Sequence, residues 1–189
     1  MEEIYLDILR PDDWHVHLRE GELLSSVFPY TYENFGSALV MPNLDTPITN
    51  ISLAENYYNE ICKEIPKGTE FTPNMTLYLT NHLSKDEIKK VSTHEHIRAI
   101  KMYPKGATTN SGSGISDFKD FYNLFEVMEE RGVILSIHGE VTDEEVDVFE
   151  RERVFIEKVL TKIIKQFPSL KIVLEHITSA DAVKFINEQ

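Results

Sequence analysis

The chain of 189 residues is poor in several features that mark whole classes of protein. It has one cysteine, Cys62, and therefore no intrachain disulfide, which favours the reducing cytoplasm over a secreted setting. With 19 Lys and Arg against 32 Asp and Glu, its net charge of −13 argues against binding to nucleic acid or to an anionic membrane. No segment approaches the ~20 apolar residues of a membrane span, and the acidic start MEEIYLDILRPDDW does not resemble a signal peptide.

The chain does have enough apolar residues, 41%, for one substantial core, so a single domain over 1–189 is expected. Short apolar segments alternate with helical patterns. Strands are predicted at 13–18, 36–41, 71–79, 97–102, 133–137 and 171–175. Helices are predicted at 52–64, 84–91, 116–131, 152–166 and 179–186. Capping boxes are predicted at Ser52–Glu55, Ser84–Glu87 and Thr142–Glu145, and the third of these would begin a further short helix. Apolar strands separated by helices predict an α/β fold with a parallel sheet covered on both faces.

Residues 14–19 read Trp-His-Val-His-Leu-Arg and hold the most informative motif. On an extended strand His15 and His17 point the same way, because side chains alternate between the two faces. Both imidazoles could therefore bind one metal ion, and Arg19, on the same face, would lie one step further, towards a substrate anion. A surface strand that happens to carry two histidines is the alternative, since His-x-His alone is a weak motif.

Other candidate ligands lie at the ends of other predicted strands. Lys101 ends the fourth strand, His138 follows the fifth and His176 follows the sixth. In a (β/α) barrel the carboxyl ends of the strands converge on one face, where active sites are built. We therefore expect these side chains to meet His15 and His17 around a shared metal site. The remaining histidines lie in polar segments and are expected to be solvated: His82, His94 and His96.

Five segments together resemble the bacterial dihydroorotases, the separate enzymes of pyrimidine biosynthesis within the amidohydrolase superfamily. They are Arg10–Arg19, Val40–Asn43, Lys101–Pro104, His138–Thr142 and Glu175–Thr178, and they cover essentially the whole chain in order. The resemblance implies a TIM-type (β/α) barrel. It also implies an enzyme with a small-molecule substrate, which catalyses the reversible cyclisation of N-carbamoyl-L-aspartate to L-dihydroorotate with loss of water.

The resemblance further implies two zinc ions. His15 and His17 would bind the more buried ion, and His138 and His176 the second. Lys101 would bridge the two as a carboxylated lysine, because an ammonium group cannot bind a metal. Among histidines and cations the pKa of Lys101 would be lowered towards the neutral amine, which can react with carbon dioxide. The alternative, from the residue type alone, is a strand-end lysine that reaches solvent.

The resemblance also assigns residues to the substrate. Arg19 and Asn43 match residues that hold its carboxylate, which suits the two parallel hydrogen bonds of a guanidinium. Thr108 and Thr109 match two threonines of a mobile loop that closes over the substrate. Segment 105–114 is rich in Gly, Ser and Thr, a composition typical of a flexible lid and equally of an ordinary surface loop. The family further suggests a homodimer.

The chain departs from the family in one respect. A dihydroorotase barrel has eight strands, about six are predicted here, and the C-terminal part would be missing. In the family the eighth strand carries an aspartate that binds the first zinc and moves the proton. No residue matches it, so the general base is expected beyond residue 189, no catalytic residue is assigned, and the chain alone is expected to be inactive or nearly so.

Two alternative functions stay open. One is a non-catalytic, dihydroorotase-like scaffold, against which the retention of all five candidate metal ligands argues. The other is a different cyclic-amide hydrolase, resembling hydantoinase or allantoinase. Arg19 and Asn43 favour dihydroorotase over this second alternative, because they suit a substrate carboxylate.

Overall fold

The computed structural model describes residue 5 and residues 7–189, and its frame is one parallel sheet. The six strands among these residues are β1 (Asp12–Val16), β2 (Ser37–Val40), β3 (Thr72–Tyr78), β4 (Ile97–Met102), β5 (Ile134–His138) and β6 (Ile172–Glu175). They pair in chain order, and every neighbouring pair is parallel. All six predicted strands are therefore confirmed, with small shifts at their ends, and the sheet curls into a partial (β/α) barrel.

A helix or helical segment follows each strand. The helices are α1 (Gly21–Tyr32), α2 (Ile51–Glu64), α3 (Lys85–Val91), α4 (Tyr122–Arg131), α5 (Arg151–Phe155), α6 (Thr161–Gln166) and α7 (Ala180–Asn187). A π-helical segment, Ile156–Leu160, joins α5 to α6, and short 3-10 turns cover Phe118–Phe121 and Val148–Glu150. No helix within the described part of the chain has both the length and the apolar character needed to cross a bilayer.

Helix α1 was not among the helices predicted from the sequence. It starts at Gly21, which has a φ of +55°, and it contains Pro29 in its last turn. Both residues interrupt a helical pattern, since glycine and proline weaken helix interiors. The helix nevertheless forms because Leu24 and Phe28, four residues apart, are both buried on the face that meets the core.

Two of the three predicted capping boxes do not cap a helix. Ser84 does: its hydroxyl accepts a hydrogen bond from the backbone N–H of Glu87 at 3.1 Å. Ser52 does not, because α2 begins one residue earlier and the side chain of Asn50 caps it, accepting from the N–H of Leu53 at 2.9 Å. Asn and Ser cap equally well, so residue type alone could not choose between them.

The third predicted box, at Thr142, is wrong because no helix begins there. Asp143 instead accepts a hydrogen bond from the N–H of Glu145 at 3.1 Å, and Asp147 accepts one from the N–H of Phe149 at 2.9 Å. The bond of Asp143 competes with helix formation, whereas the bond of Asp147 caps the helical turn that follows. The helical structure starts only with the 3-10 turn at Val148–Glu150.

The core lies between the sheet and its helices, and the two edge strands are less covered. The four inner strands, β2 to β5, are almost entirely buried. On the edge strands, by contrast, the side chain of Trp14 in β1 is 63% exposed and that of Val173 in β6 is 44% exposed. Among the described residues β1 and β6 each pair on one side only, and an open edge with apolar side chains favours association with other chains.

Candidate metal centre

The ends of four strands bring the five predicted metal ligands together. The Nε2 atoms of His15 and His17 are 3.2 Å apart. The ring of His176 lies 5.0 Å from that of His15 and 4.6 Å from that of His138, measured between ring centroids. Lys101 lies in β4 and projects to the same place. Because His15 and His176 belong to opposite edges of the sheet, their contact also shows how strongly the sheet curls.

Two positions differ in detail from the sequence prediction. His17 does not lie on the first strand, because β1 ends at Val16, where the carbonyl accepts the N–H of Met41 at 2.9 Å. The pairing of β1 with β2 is irregular between Asp13 and Val16, and the chain leaves the sheet there. His138 is the last residue of β5 and does not follow it.

All four histidines of the cluster are held neutral. Burial, with a contribution from the charge of Lys101, lowers the pKa of His15 and of His176 to about 4. Burial also lowers the pKa of His17 to about 4, with a contribution from His15, and that of His138 to about 3, with a contribution from His176. At neutral pH each ring therefore has one nitrogen lone pair to offer a metal ion.

Lys101 is completely buried, which excludes the lysine that reaches solvent. It pairs in register with Tyr78 of β3 and Ser136 of β5, so the three side chains share the inner face of the sheet. Burial lowers the pKa of Lys101 to about 7. The direction agrees with the sequence prediction, but the cause is loss of hydration rather than neighbouring cations, because the surrounding histidines are neutral.

Glu175 is the main member of the cluster that the sequence prediction missed. Its buried carboxylate forms an ion pair with Lys101, and its Oε2 atom lies 3.1 Å from Nδ1 of His15. Candidate ligand atoms of His15, Glu175 and His176 all lie within 4.8 Å of one another. The available signal was the pairing of Glu175 with His138, because residues paired across parallel strands project to the same face.

The donor set fits a zinc ion. Nε2 of His138, Oε1 of Glu175 and Oγ of Ser136 are buried and form no hydrogen bond among the described residues, although Oε1 of Glu140 lies 3.5 Å from that Nε2. Leaving such atoms without a partner costs ~1–3 kcal/mol each. Imidazole nitrogens and carboxylate oxygens are the ligands that zinc prefers besides cysteine, so a bound cation would satisfy groups that the protein alone does not.

The predicted substrate residues lie beside the cluster. Arg19 has a φ of +62°, and its carbonyl accepts a hydrogen bond from the hydroxyl of Tyr57 at 2.7 Å. Its half-buried side chain helps to line a cleft of about 100 Å³, and its charge contributes to the lowered pKa of His17. Asn43 is buried, and its Oδ1 accepts from the hydroxyl of Tyr103 at 3.0 Å. Tyr103 was not predicted, although it lies two residues beyond Lys101.

Segment 105–114 folds against Asn43. Nδ2 of Asn43 donates to the carbonyl of Thr109 at 2.9 Å, and Nδ2 of Asn110 donates to Oδ1 of Asp45 at 3.0 Å. The N–H of Thr108 donates to Oγ of Ser111 at 3.0 Å. The two threonines are exposed, and these bonds use their backbone atoms, so neither hydroxyl takes part in them.

The three other histidines lie outside the cluster, and one of them is solvated as predicted. His82 is exposed. The prediction is wrong for the other two, because they are half-buried against helix α2. Nε2 of His94 lies 3.3 Å from a carboxylate oxygen of Glu55, and the ring of His96 stacks on Tyr58 at 3.9 Å.

Comparison with curated proteins finds dihydroorotases. The chain is 47% identical to the dihydroorotase of Acinetobacter baumannii strain SDF over 184 residues, which are 97% of this chain and 54% of that protein. It is 50% identical to the dihydroorotase of Shewanella baltica strain OS223 over 183 residues, which are 97% of this chain and 53% of that protein. The chain thus spans about half the length of the curated relatives it matches. No family model matches it.

Solved structures give the same result. The dihydroorotase of Campylobacter jejuni superposes with a TM-score of 0.88 at 34% identity, over 99% of this chain and 55% of that one. The dihydroorotase of Saccharomyces cerevisiae in complex with 5-fluoroorotic acid gives 0.84 at 37% identity, over 94% of this chain and 50% of that one. The L-hydantoinase of Arthrobacter aurescens gives 0.73 at 14% identity, over 95% of this chain and 44% of that one, and shares the fold.

Proposed function

Because the chain is a homologue of the dihydroorotases over nearly its whole length, we propose that it carries the metal centre and part of the substrate site of a dihydroorotase. Such an enzyme interconverts N-carbamoyl-L-aspartate and L-dihydroorotate in pyrimidine biosynthesis and would work in the cytoplasm. The observation that carries the proposal is the meeting of four neutral histidines with a completely buried lysine at the strand ends.

The five clustered residues would hold two zinc ions. His15 and His17 would bind the first, His138 and His176 the second, and Lys101 would bridge them once it is carboxylated. Bound zinc would lower the pKa of water and polarise the amide carbonyl of the substrate. The histidines contribute by staying neutral, since a protonated imidazole has no lone pair for a metal.

Lys101 is suited to carboxylation because its pKa of about 7 leaves much of the amine neutral at physiological pH. The lone pair of Nζ attacks the carbon of carbon dioxide, an N–C bond forms as one C–O π bond opens onto its oxygen, and the nitrogen gives one proton to water, which leaves a carbamate anion. This anion could no longer pair with Glu175, so the ion pair between them must break. Glu175 would keep its contact with His15.

Arg19 and Asn43 would recognise the carboxylate shared by both substrates. A guanidinium donates two parallel hydrogen bonds to a carboxylate, and Nδ2 of Asn43, which has two N–H donors and uses one on the carbonyl of Thr109, can add a third. Asn43 would then link the substrate to the segment that carries Thr108 and Thr109. A carboxylate-binding pair favours dihydroorotase over a hydantoinase, because a simple hydantoin ring has no carboxylate for it to hold.

We expect little turnover from the 189-residue chain by itself. Among the described residues, two carboxylates contact imidazoles of the cluster: Glu175, which Lys101 and His15 already engage, and half-buried Glu140, whose Oε1 lies 3.5 Å from Nε2 of His138. Neither matches the aspartate that moves the proton in the family, and general acid–base catalysis typically contributes ~10²–10⁴-fold. Ready turnover of dihydroorotate by the pure chain would contradict this expectation.

Zinc titration of the metal-free chain tests the proposal. We expect two zinc ions per chain, and a carbamate carbon signal on Lys101 in NMR spectra recorded with ¹³C-labelled bicarbonate. His138→Ala should remove one zinc ion, whereas His82→Ala, which alters an exposed histidine outside the cluster, should leave both. Absence of bound zinc in the unaltered chain, or equal loss in the two variants, would refute the assignment.

A further inference from the structure

Glu152 is a buried acid that the proposed chemistry does not use. It lies in α5 and is 8% exposed. Its carboxylate accepts hydrogen bonds from the backbone N–H of Thr178, at 3.1 and 3.3 Å to its two oxygens, and from that of Ser179 at 2.8 Å. It also accepts one from the hydroxyl of Ser179. Glu152 thus binds the turn that connects β6 to α7.

This turn begins with His176, whose backbone is in an uncommon conformation. The φ of His176 is +42°, in the left-handed region that residues with a side chain rarely adopt. Such a conformation persists only where surrounding contacts hold it. The ring of His176 packs against the cluster, which lowers its pKa, but the residue as a whole is the one exposed histidine of the cluster, so burial alone does not hold its backbone. The contacts that fix the turn are the bonds to Glu152 and the cap that Ser179 forms with the N–H of Ala182.

We propose that Glu152 is a positioning residue for His176: its carboxylate holds the turn at 176–179 and thereby directs the imidazole at the metal centre. The part of this inference that concerns metal rests on the proposed function. The carboxylate suits its place because it has only acceptors and faces three donors, two N–H groups and one hydroxyl. Its charge also lies at the amino end of α7, where the helix dipole favours an anion.

Glu152→Gln is the direct test, because it keeps the shape of the side chain and turns one acceptor oxygen into a donor. Glu129→Gln is the matched control. Glu129, in α4, accepts a hydrogen bond from the backbone N–H of Ser169 at 2.6 Å, in the segment that precedes the opposite end of β6. The control therefore alters the same kind of bond next to the same strand, away from the cluster.

The first measurement is zinc affinity, by competition with a chromophoric chelator. Glu152→Gln should lower the affinity for one of the two zinc ions by ~10–100-fold, the usual effect of losing a group that orients a ligand, and should leave the affinity for the other unchanged. Glu129→Gln should leave both unchanged. Unchanged affinities in Glu152→Gln would overturn the proposal, and so would an equal loss at both sites accompanied by a matching loss of thermal stability.

The second measurement is amide hydrogen exchange in the metal-free chain, which does not depend on the proposed function. Amides of residues 177–179 should exchange faster in Glu152→Gln than in the unaltered chain or in Glu129→Gln. If the unaltered chain binds no zinc, the proposed function fails, and exchange still decides whether Glu152 holds the turn. Equal exchange rates in all three proteins would overturn the positioning role.

Discussion

Replacing Lys101 should change how the stability of the metal-free chain depends on pH. Burial lowers the pKa of Lys101 from 10.5 to about 7, so between these values the unfolded chain binds more protons than the folded one. The free energy of unfolding must then rise with pH across this interval. Below pH 7 the cost of the buried lysine is fully present, and above pH 10.5 it is absent.

The size of the effect follows from the same shift. One pKa unit corresponds to 1.36 kcal/mol, so a shift from 10.5 to about 7 is worth about 5 kcal/mol, an upper value for the rise across the whole interval. Lys101→Met removes the titrating amine and keeps an unbranched side chain of similar length. It should abolish the rise, although the gain in stability at pH 7 is reduced because Glu175 then lacks its cation.

Urea unfolding of the two metal-free proteins between pH 7 and 9.5 measures this difference. The upper limit avoids the tyrosines, since burial raises the pKa of Tyr78 to about 12 and its ionisation acts in the opposite direction. Lys85→Met is a suitable control because Lys85 is exposed on α3. If the unaltered chain and Lys101→Met gave parallel curves, the argument that Lys101 is destabilised by burial would be refuted.

Three further predictions concern the surroundings of the site. Tyr103→Phe should lower the free energy of unfolding in urea by about 1 kcal/mol, because it removes the hydrogen bond to Asn43. Calorimetry should also show weaker binding of dihydroorotate, and unchanged binding would show that Tyr103 does not orient the side-chain amide of Asn43. Gly114→Ala should destabilise the chain in the same assay, because a Cβ atom there would lie 2.5 Å from the carbonyl oxygen of Tyr103, whereas Gly112→Ala meets nothing within 4 Å and should be neutral. Stability should fall as pH drops from 7 to 5, because burial lowers the pKa of the cluster histidines from 6.5 to about 4 or below, and a flat profile in urea unfolding would contradict this.

Much of the fold was predictable because its signals are local. With the exception of β1, whose sequence is Asp-Asp-Trp-His-Val, each strand is a short and largely apolar segment that can be recognised without knowing what it packs against. Helix α1 was not predicted because Gly21 and Pro29 interrupt its helical pattern, which becomes clear only from the burial of Leu24 and Phe28. The cap of α2 was also wrongly predicted, because the choice between Asn50 and Ser52 depends on backbone angles rather than on residue type.

The site likewise contains residues that the sequence could predict and residues that it could not. His15, His138 and His176 could be brought together from sequence because parallel strands in a barrel converge at their carboxyl ends. Glu175 and Glu152 could not, since their importance lies in contacts to particular distant atoms. Glu175 meets His15 across 160 positions of the chain, and Glu152 meets backbone groups 26 and 27 positions away. The residues flanking Glu152 give no indication of its partners, and for Glu175 the available signal was its pairing with His138 across the two strands.

A completely buried lysine inside the sheet requires a physical explanation. Lys101 lies among apolar residues of β4, where a hydrophobic side chain would cost the fold less. Nearby, Nε2 of His138 and Oγ of Ser136 are buried without hydrogen bonds. Selection for stability alone would replace all three, so their cost to the fold agrees with the metal site proposed above. A bound cation would offset much of that cost. Lys101→Met should therefore weaken metal binding while it makes the metal-free chain more stable.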